Sequence, residues 1–105
     1  MPGALTPDLA LDYLGELSTD IRAAVVLDAD GHLLAGAQAL AAPARELLET
    51  APGAAAIEVL TERGGAFAVR GARHALCVAT GRFALPALVL YDLRAVLGDL
   101  EREAA

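Results

Sequence analysis

Across 105 residues the chain sets 14 acidic side chains against eight basic ones, a formal net charge of −6, and every basic residue is arginine. That balance opposes binding to a nucleic-acid backbone, which needs a basic face. The absence of lysine excludes both a Walker-type phosphate loop and a Schiff-base nucleophile, while an apolar content of 56% excludes disorder and points to one core and one domain over residues 1–105.

Thr6-Pro7-Asp8 opens the first predicted helix with a hydroxyl cap, a proline at the first helical position and an acid in the first turn. Ala10, Tyr13, Leu14 and Leu17 follow at helical spacing as its buried stripe, Asp12 and Glu16 face water, and Ser18-Thr19-Asp20 ends it. Two apolar strands come next, over 22–27 and 32–37, joined by the tight turn Asp28-Ala29-Asp30-Gly31. Neither strand has a polar side. The hairpin therefore belongs inside a sheet covered on both faces, or in one covered on one face and paired with another molecule.

A second helix is predicted over 40–50, with Leu40, Ala44, Leu47, Leu48 and Ala51 turned inward. Pro43 fits only in its first turn, which allows a start as late as Ala42, and Pro52-Gly53 stops it. Three strands are predicted over 55–61, 66–70 and 74–80, with Glu62-Arg63-Gly64-Gly65 and Gly71-Ala72-Arg73 as turns. Connections this short make antiparallel neighbours. Phe67, Val69, Leu76 and Val78 alternate with Ala66, Ala68, Ala75, Cys77 and Ala79, so one face is bulky and the other can be approached closely. The last predicted helix, over 86–102, buries Leu85, Leu88, Val89, Leu93, Val96, Leu97 and Leu100, with Leu90 and Tyr91 widening the stripe.

The residues that carry chemistry read as structural. Asp28-Ala29-Asp30-Gly31 fits a calcium loop only in part: with Asp30-Gly31 aligned, Val26 takes the first ligand position and Ala37 the twelfth. In an exposed turn nothing separates the acidities of Asp28 and Asp30 into an acid–base pair. His74 and Cys77 stand three apart on a strand and point to opposite faces, which makes Cys77 a buried structural thiol. His32 and His74 are too few for a metal set. Ser18, the only serine, lies at a helix end outside any nucleophile elbow. Arg63, Arg70, Arg73 and Arg82 sit in or beside turns as solubilising charges, with an arginine finger the alternative for one of them. No catalytic residue, cofactor or metal ligand is expected.

The longest uncharged apolar run, residues 83–91, contains Pro86 and falls short of the roughly 20 residues a membrane span needs. Met1-Pro2-Gly3-Ala4 places no basic residue ahead of an apolar stretch, so no secretory signal is expected and the cytoplasm is the predicted compartment. Cys77 alone permits no internal disulfide.

The element order resembles the Roadblock/dynein light-chain family. So does Ala24-Val25-Val26-Leu27-Asp28-Ala29-Asp30-Gly31 following a Leu-Ser-Thr-Asp-Ile-Arg helix exit. The closing Leu85-Pro86-Ala87-Leu88-Val89-Leu90-Tyr91-Asp92-Leu93-Arg94 is similar to the bacterial members of that group. The resemblance implies an α+β, profilin-like fold: a five-stranded antiparallel sheet in the order 2-1-5-4-3. The first and last helices cover one face and the middle helix the other.

It also implies a homodimer in which the third strand pairs with its copy, through Ala55, Ile57, Glu58, Val59 and Leu60. An apolar edge strand with one charge is itself a liability unless covered or paired. The implied partner is a small Ras-like GTPase, contacted by the outer side of the middle helix at Ala42, Arg45, Glu46 and Glu49. The chain would then act as a regulator or scaffold and not as an enzyme in its own right. The alternative is a profilin-like small-molecule sensor with a pocket between sheet and helix, suggested by the small residues Ala75, Cys77 and Ala79.

Overall fold

The computed structural model describes residues 5–18 and 20–104. The readings placed on Met1-Pro2-Gly3-Ala4 and on Thr19 lie outside them. Helix α1 (Pro7–Leu17) is followed by strands β1 (Ile21–Asp28) and β2 (Leu33–Gly36), helix α2 (Gln38–Glu49), strands β3 (Ala56–Thr61), β4 (Gly64–Arg70) and β5 (His74–Gly81), and helix α3 (Pro86–Ala104). All five strands form one antiparallel sheet in the order β2-β1-β5-β4-β3, the order implied by the family resemblance.

Strand alternation decides which helix covers which face. Val26, Ala35, Phe67, Val69, Leu76 and Val78 point to one side and pack with Ala10 and Leu14 of α1 and with Val89, Leu93, Val96, Leu97 and Leu100 of α3. Val25, Leu27, Ala68, Ala75 and Cys77 point to the other and pack with Ala44, Leu40, Leu47 and Leu48 of α2. The bulky face meets two helices and the small face lets α2 approach. Phe67, fully buried, folds back over Gly65, where a Cβ would strike its ring.

Local signals explain most boundaries. The Thr6 hydroxyl accepts the Leu9 N–H at 3.2 Å, which caps α1, and Pro7 occupies the first turn. Gly36 ends β2 at φ +108, on a site where a side chain would collide with the Ala24 carbonyl and the Val25 backbone.

Several expectations need correction. The β1–β2 hairpin does not lie wholly inside the sheet. β2 is an outer strand, only four residues long, with Leu34 exposed. Helix α2 starts at Gln38, which puts Pro43 in its interior. The proline leaves the Ala39 carbonyl without its helical donor, and because Ala39 is exposed, water can take that place. Gly64 and Gly65 belong to β4, leaving Glu62 and Arg63 as the turn. Tyr13 and Leu17 on α1, and Leu85, Leu88 and Tyr91 at the start of α3, are exposed instead of buried. Both helices lie in one outer layer, so only the arc facing the sheet is covered, and Leu85 precedes the helix altogether.

Candidate functional site

Strand β3 pairs only with β4, so its other edge carries no partner among the described residues. Ile57 is half-buried against the α2-side core, while Glu58, Val59 and Leu60 are exposed, Leu60 at 57% of its surface. Ala55 lies just before the strand and is also exposed. The five residues expected at a dimer seam therefore sit together on one rim of the sheet.

Helix α2 borders this rim. A groove of about 300 Å3 runs between the helix and the small face of the sheet, lined by Leu40, Pro43, Ala44, Leu47, Val59 and Cys77 among others. Of the four residues expected to meet a partner, Ala42, Glu46 and Glu49 face solvent. Arg45 does not stand free beside them. It is half-buried, and its Nη1 donates to the Gly31 carbonyl at 3.0 Å, holding the hairpin turn against α2.

That turn is built by one carboxylate. Asp28 Oδ1 accepts the N–H groups of Asp30 and His32, each at 2.9 Å, and Oδ2 lies 3.2 Å from His32 Nδ1. The His32 N–H bond is the chief reason the Asp28 carboxyl stays below its ordinary pKa. Gly31 supplies the positive φ, +88, that closes the turn. Ligand atoms of Asp28, Asp30 and His32 lie within 4.8 Å of one another. The Asp28 oxygens are already occupied by the turn, and the side chains are half or fully exposed, so the cluster reads as turn chemistry.

Two polar anchors are not visible in the sequence pattern. Arg70, expected as a solubilising charge, is half-buried and donates to three carbonyls. Its Nε reaches Ala54 at 2.8 Å, and its Nη2 reaches Leu48 at 2.8 Å and Ala51 at 2.7 Å. It thus caps the C-terminus of α2 and ties it to the loop leading into β3. Glu101 of α3 accepts the N–H groups of Arg73 (2.9 Å) and His74 (3.3 Å) and faces His74 Nδ1 at 3.3 Å. Burial alone would raise the Glu101 pKa. The bonds from Arg73 and His74 outweigh it and hold the carboxyl low. Gly71 makes the approach possible, since a Cβ there would strike Glu101. Of the remaining arginines, Arg82 lies 4.8 Å over the exposed Phe83 ring.

Cys77 is buried on the α2 side, as expected, and His74 points to the opposite face toward α3. Burial pushes the thiol pKa up to about 12, against a smaller pull downward from Arg70. A thiol held neutral is no nucleophile at ordinary pH.

No protein-family model matches the chain, and no curated protein matches it. Solved structures do. A Roadblock/LC7 domain from Streptomyces avermitilis superposes with a TM-score of 0.80 at 18% identity, over 93% of this chain and 97% of that one. The fold is that of a Roadblock domain. The gliding protein MglB from Thermus thermophilus matches with a TM-score of 0.69 at 17% identity, over 90% of this chain and 85% of that one. Profilin II from Acanthamoeba castellanii follows at 0.65 and 12%, over 95% of this chain and all of that one. The Roadblock fold thus places the bare β3 rim, the apolar groove and the outer face of α2 side by side. Among the described residues no helix is long and apolar enough to cross a membrane.

Proposed function

We propose that this chain acts as a non-catalytic homodimer in the cytoplasm that binds a small Ras-like GTPase and regulates its nucleotide state or position. The observation that carries the reading is a sheet edge left unpaired beside an exposed acidic helix face. Pairing two β3 edges removes the aggregation hazard of such an edge. It also doubles Ala42, Glu46 and Glu49 into one two-fold surface, able to receive a basic patch on a partner. Arg45 contributes by fixing the hairpin turn beside that surface. MglB, one of the structural neighbours, has been solved in a tetrameric arrangement, which supports self-association for this fold.

The test is capture of a GTPase from lysate on the immobilised chain, with the lysate loaded with GDP or with a GTP analogue. A GTPase retained in one nucleotide state is the expected result, and retention of none in either state overturns the reading. The double variant Glu46→Lys/Glu49→Lys should lose capture while keeping its dimer mass.

The groove between α2 and the sheet favours a second reading, a sensor for a small apolar ligand. A thermal-shift screen separates the two, because a ligand at 100 times its dissociation constant adds about 2.7 kcal/mol of stability.

A further inference from the structure

The homodimer reading leaves open how the two edges meet, and the backbone constrains the answer. Arg70 N–H donates to the Ala55 carbonyl at 3.0 Å, and the β3–β4 register continues from that pair through Ala56↔Val69, Ile57↔Ala68 and Glu58↔Phe67. In an antiparallel ladder, residues bonded to the neighbour alternate with residues whose N–H and C=O point away. Ile57, Val59 and Thr61 therefore bond β4, and the backbone groups of Ala56, Glu58 and Leu60 point out over the free rim. Side chains alternate in step. Ile57 and Val59 lie on the α2 side, while Ala56 and Leu60 lie on the α1/α3 side, with Glu58 between them.

Outward residues must face outward residues, so a two-fold axis passes at a residue and never between two. We propose that it passes at Glu58, so that Ala56, Glu58 and Leu60 exchange bonds with the partner's Leu60, the partner's Glu58 and the partner's Ala56. This proposal rests on the homodimer reading and specifies its seam. An axis at Ile57 would set Leu60 against the partner's Ala54. In this chain the Ala54 N–H is already given to Ala51 (3.0 Å) and its carbonyl to Arg70 (2.8 Å). An axis at Val59 would set Ala56 against the partner's Glu62, which lies in the turn beyond the strand. Only the centring at Glu58 gives all three residues a strand partner.

The same centring sets Ile57 against the partner's Val59 on the α2 side, twice by symmetry, and closes the apolar groove border there. On the other side it brings two exposed Glu58 carboxylates face to face. In water that repulsion is smaller than the gain from the additional ladder bonds.

The experiment starts from a Cys77→Ala chain, which has no other thiol. Light scattering at tens of micromolar comes first, and a monomer there overturns the homodimer reading itself. Given a dimer, Glu58→Cys is expected to oxidise to a covalent dimer, because a hydrogen-bonded cross-strand pair spaces its Cα atoms about 5.5 Å apart, the commonest disulfide separation. Ile57→Cys and Val59→Cys are expected to stay uncrosslinked, each being offset from its own copy by two residues. Crosslinking at either of those positions, or at none of the three, overturns the proposed seam and leaves the dimer standing. Independently, Glu58→Gln removes the like charge and is expected to tighten the dimer by up to about fivefold. Unchanged or weaker dimerisation contradicts the proposal.

Discussion

Three carbonyls at the end of α2 and in the loop behind it, those of Leu48, Ala51 and Ala54, converge on the Arg70 guanidinium. Without it the carbonyls of Leu48 and Ala54 lose this donor, and that of Ala51 keeps only the Ala54 N–H. Arg70→Met is therefore expected to cost about 2–4 kcal/mol in urea unfolding, with Arg70→Lys recovering only part of it because an ammonium cannot span the three acceptors. Nothing in the spacing of residues distinguished this arginine from Arg63 or Arg73, because its partners are backbone atoms brought near only by the fold.

Cys77 and Glu101 give the molecule opposite responses at the two ends of the pH scale. Below pH 9 the folded and unfolded chains both keep the thiol proton. Above it the unfolded chain releases the proton while the folded one holds it to about 12, so stability falls by about 1.4 kcal/mol per pH unit in that window. Cys77→Ala should flatten this alkaline limb. The depressed Glu101 carboxyl contributes fully above its ordinary value of 4.5, and the contribution is lost as pH falls through the lower folded value. Glu101→Gln should remove that part of the acid limb, read by unfolding curves across the same range.

At the scale of elements, the cap at Thr6, the turn at Asp28-Ala29-Asp30-Gly31 and the alternation of β4 and β5 were legible because each depends on neighbours along the chain. What escaped was decided by neighbours in space. The outer parts of α1 and α3 carry leucine and tyrosine at helical spacing, yet only one arc of each helix meets the sheet. Helix α2 likewise runs through Pro43, against the local rule, since its interior positions are held by Ala44, Leu47 and Leu48 against the sheet. Pro43→Ala restores a donor for the Ala39 carbonyl and is expected to stabilise the chain by about 1–2 kcal/mol, a net value after the entropy the proline removes from the unfolded state. Thermal unfolding would register this as a rise in Tm.

For the whole molecule, the free rim of β3 is the feature with the widest reach. The residues expected at the seam were readable as an apolar edge with a single charge, but which of their backbone groups face outward depends on the ladder with β4. If the two copies join there, amide exchange at Ala56, Glu58 and Leu60 should slow as concentration rises, while Ile57 and Val59, bonded within the chain, stay slow throughout. Exchange at Glu58 that is fast at every concentration would argue against any β3 pairing.

The buried sulfur has one more use. Cys77 lies beneath α2, 2% exposed at the wall of the groove, in a chain with no other thiol, so a labelling reagent reacts with it chiefly when that helix lifts or the protein opens more widely. Its reaction rate is thus a clock for the movements of the roof, read from a probe the protein already carries. A ligand or companion that settles on α2 would slow that clock without touching the sulfur.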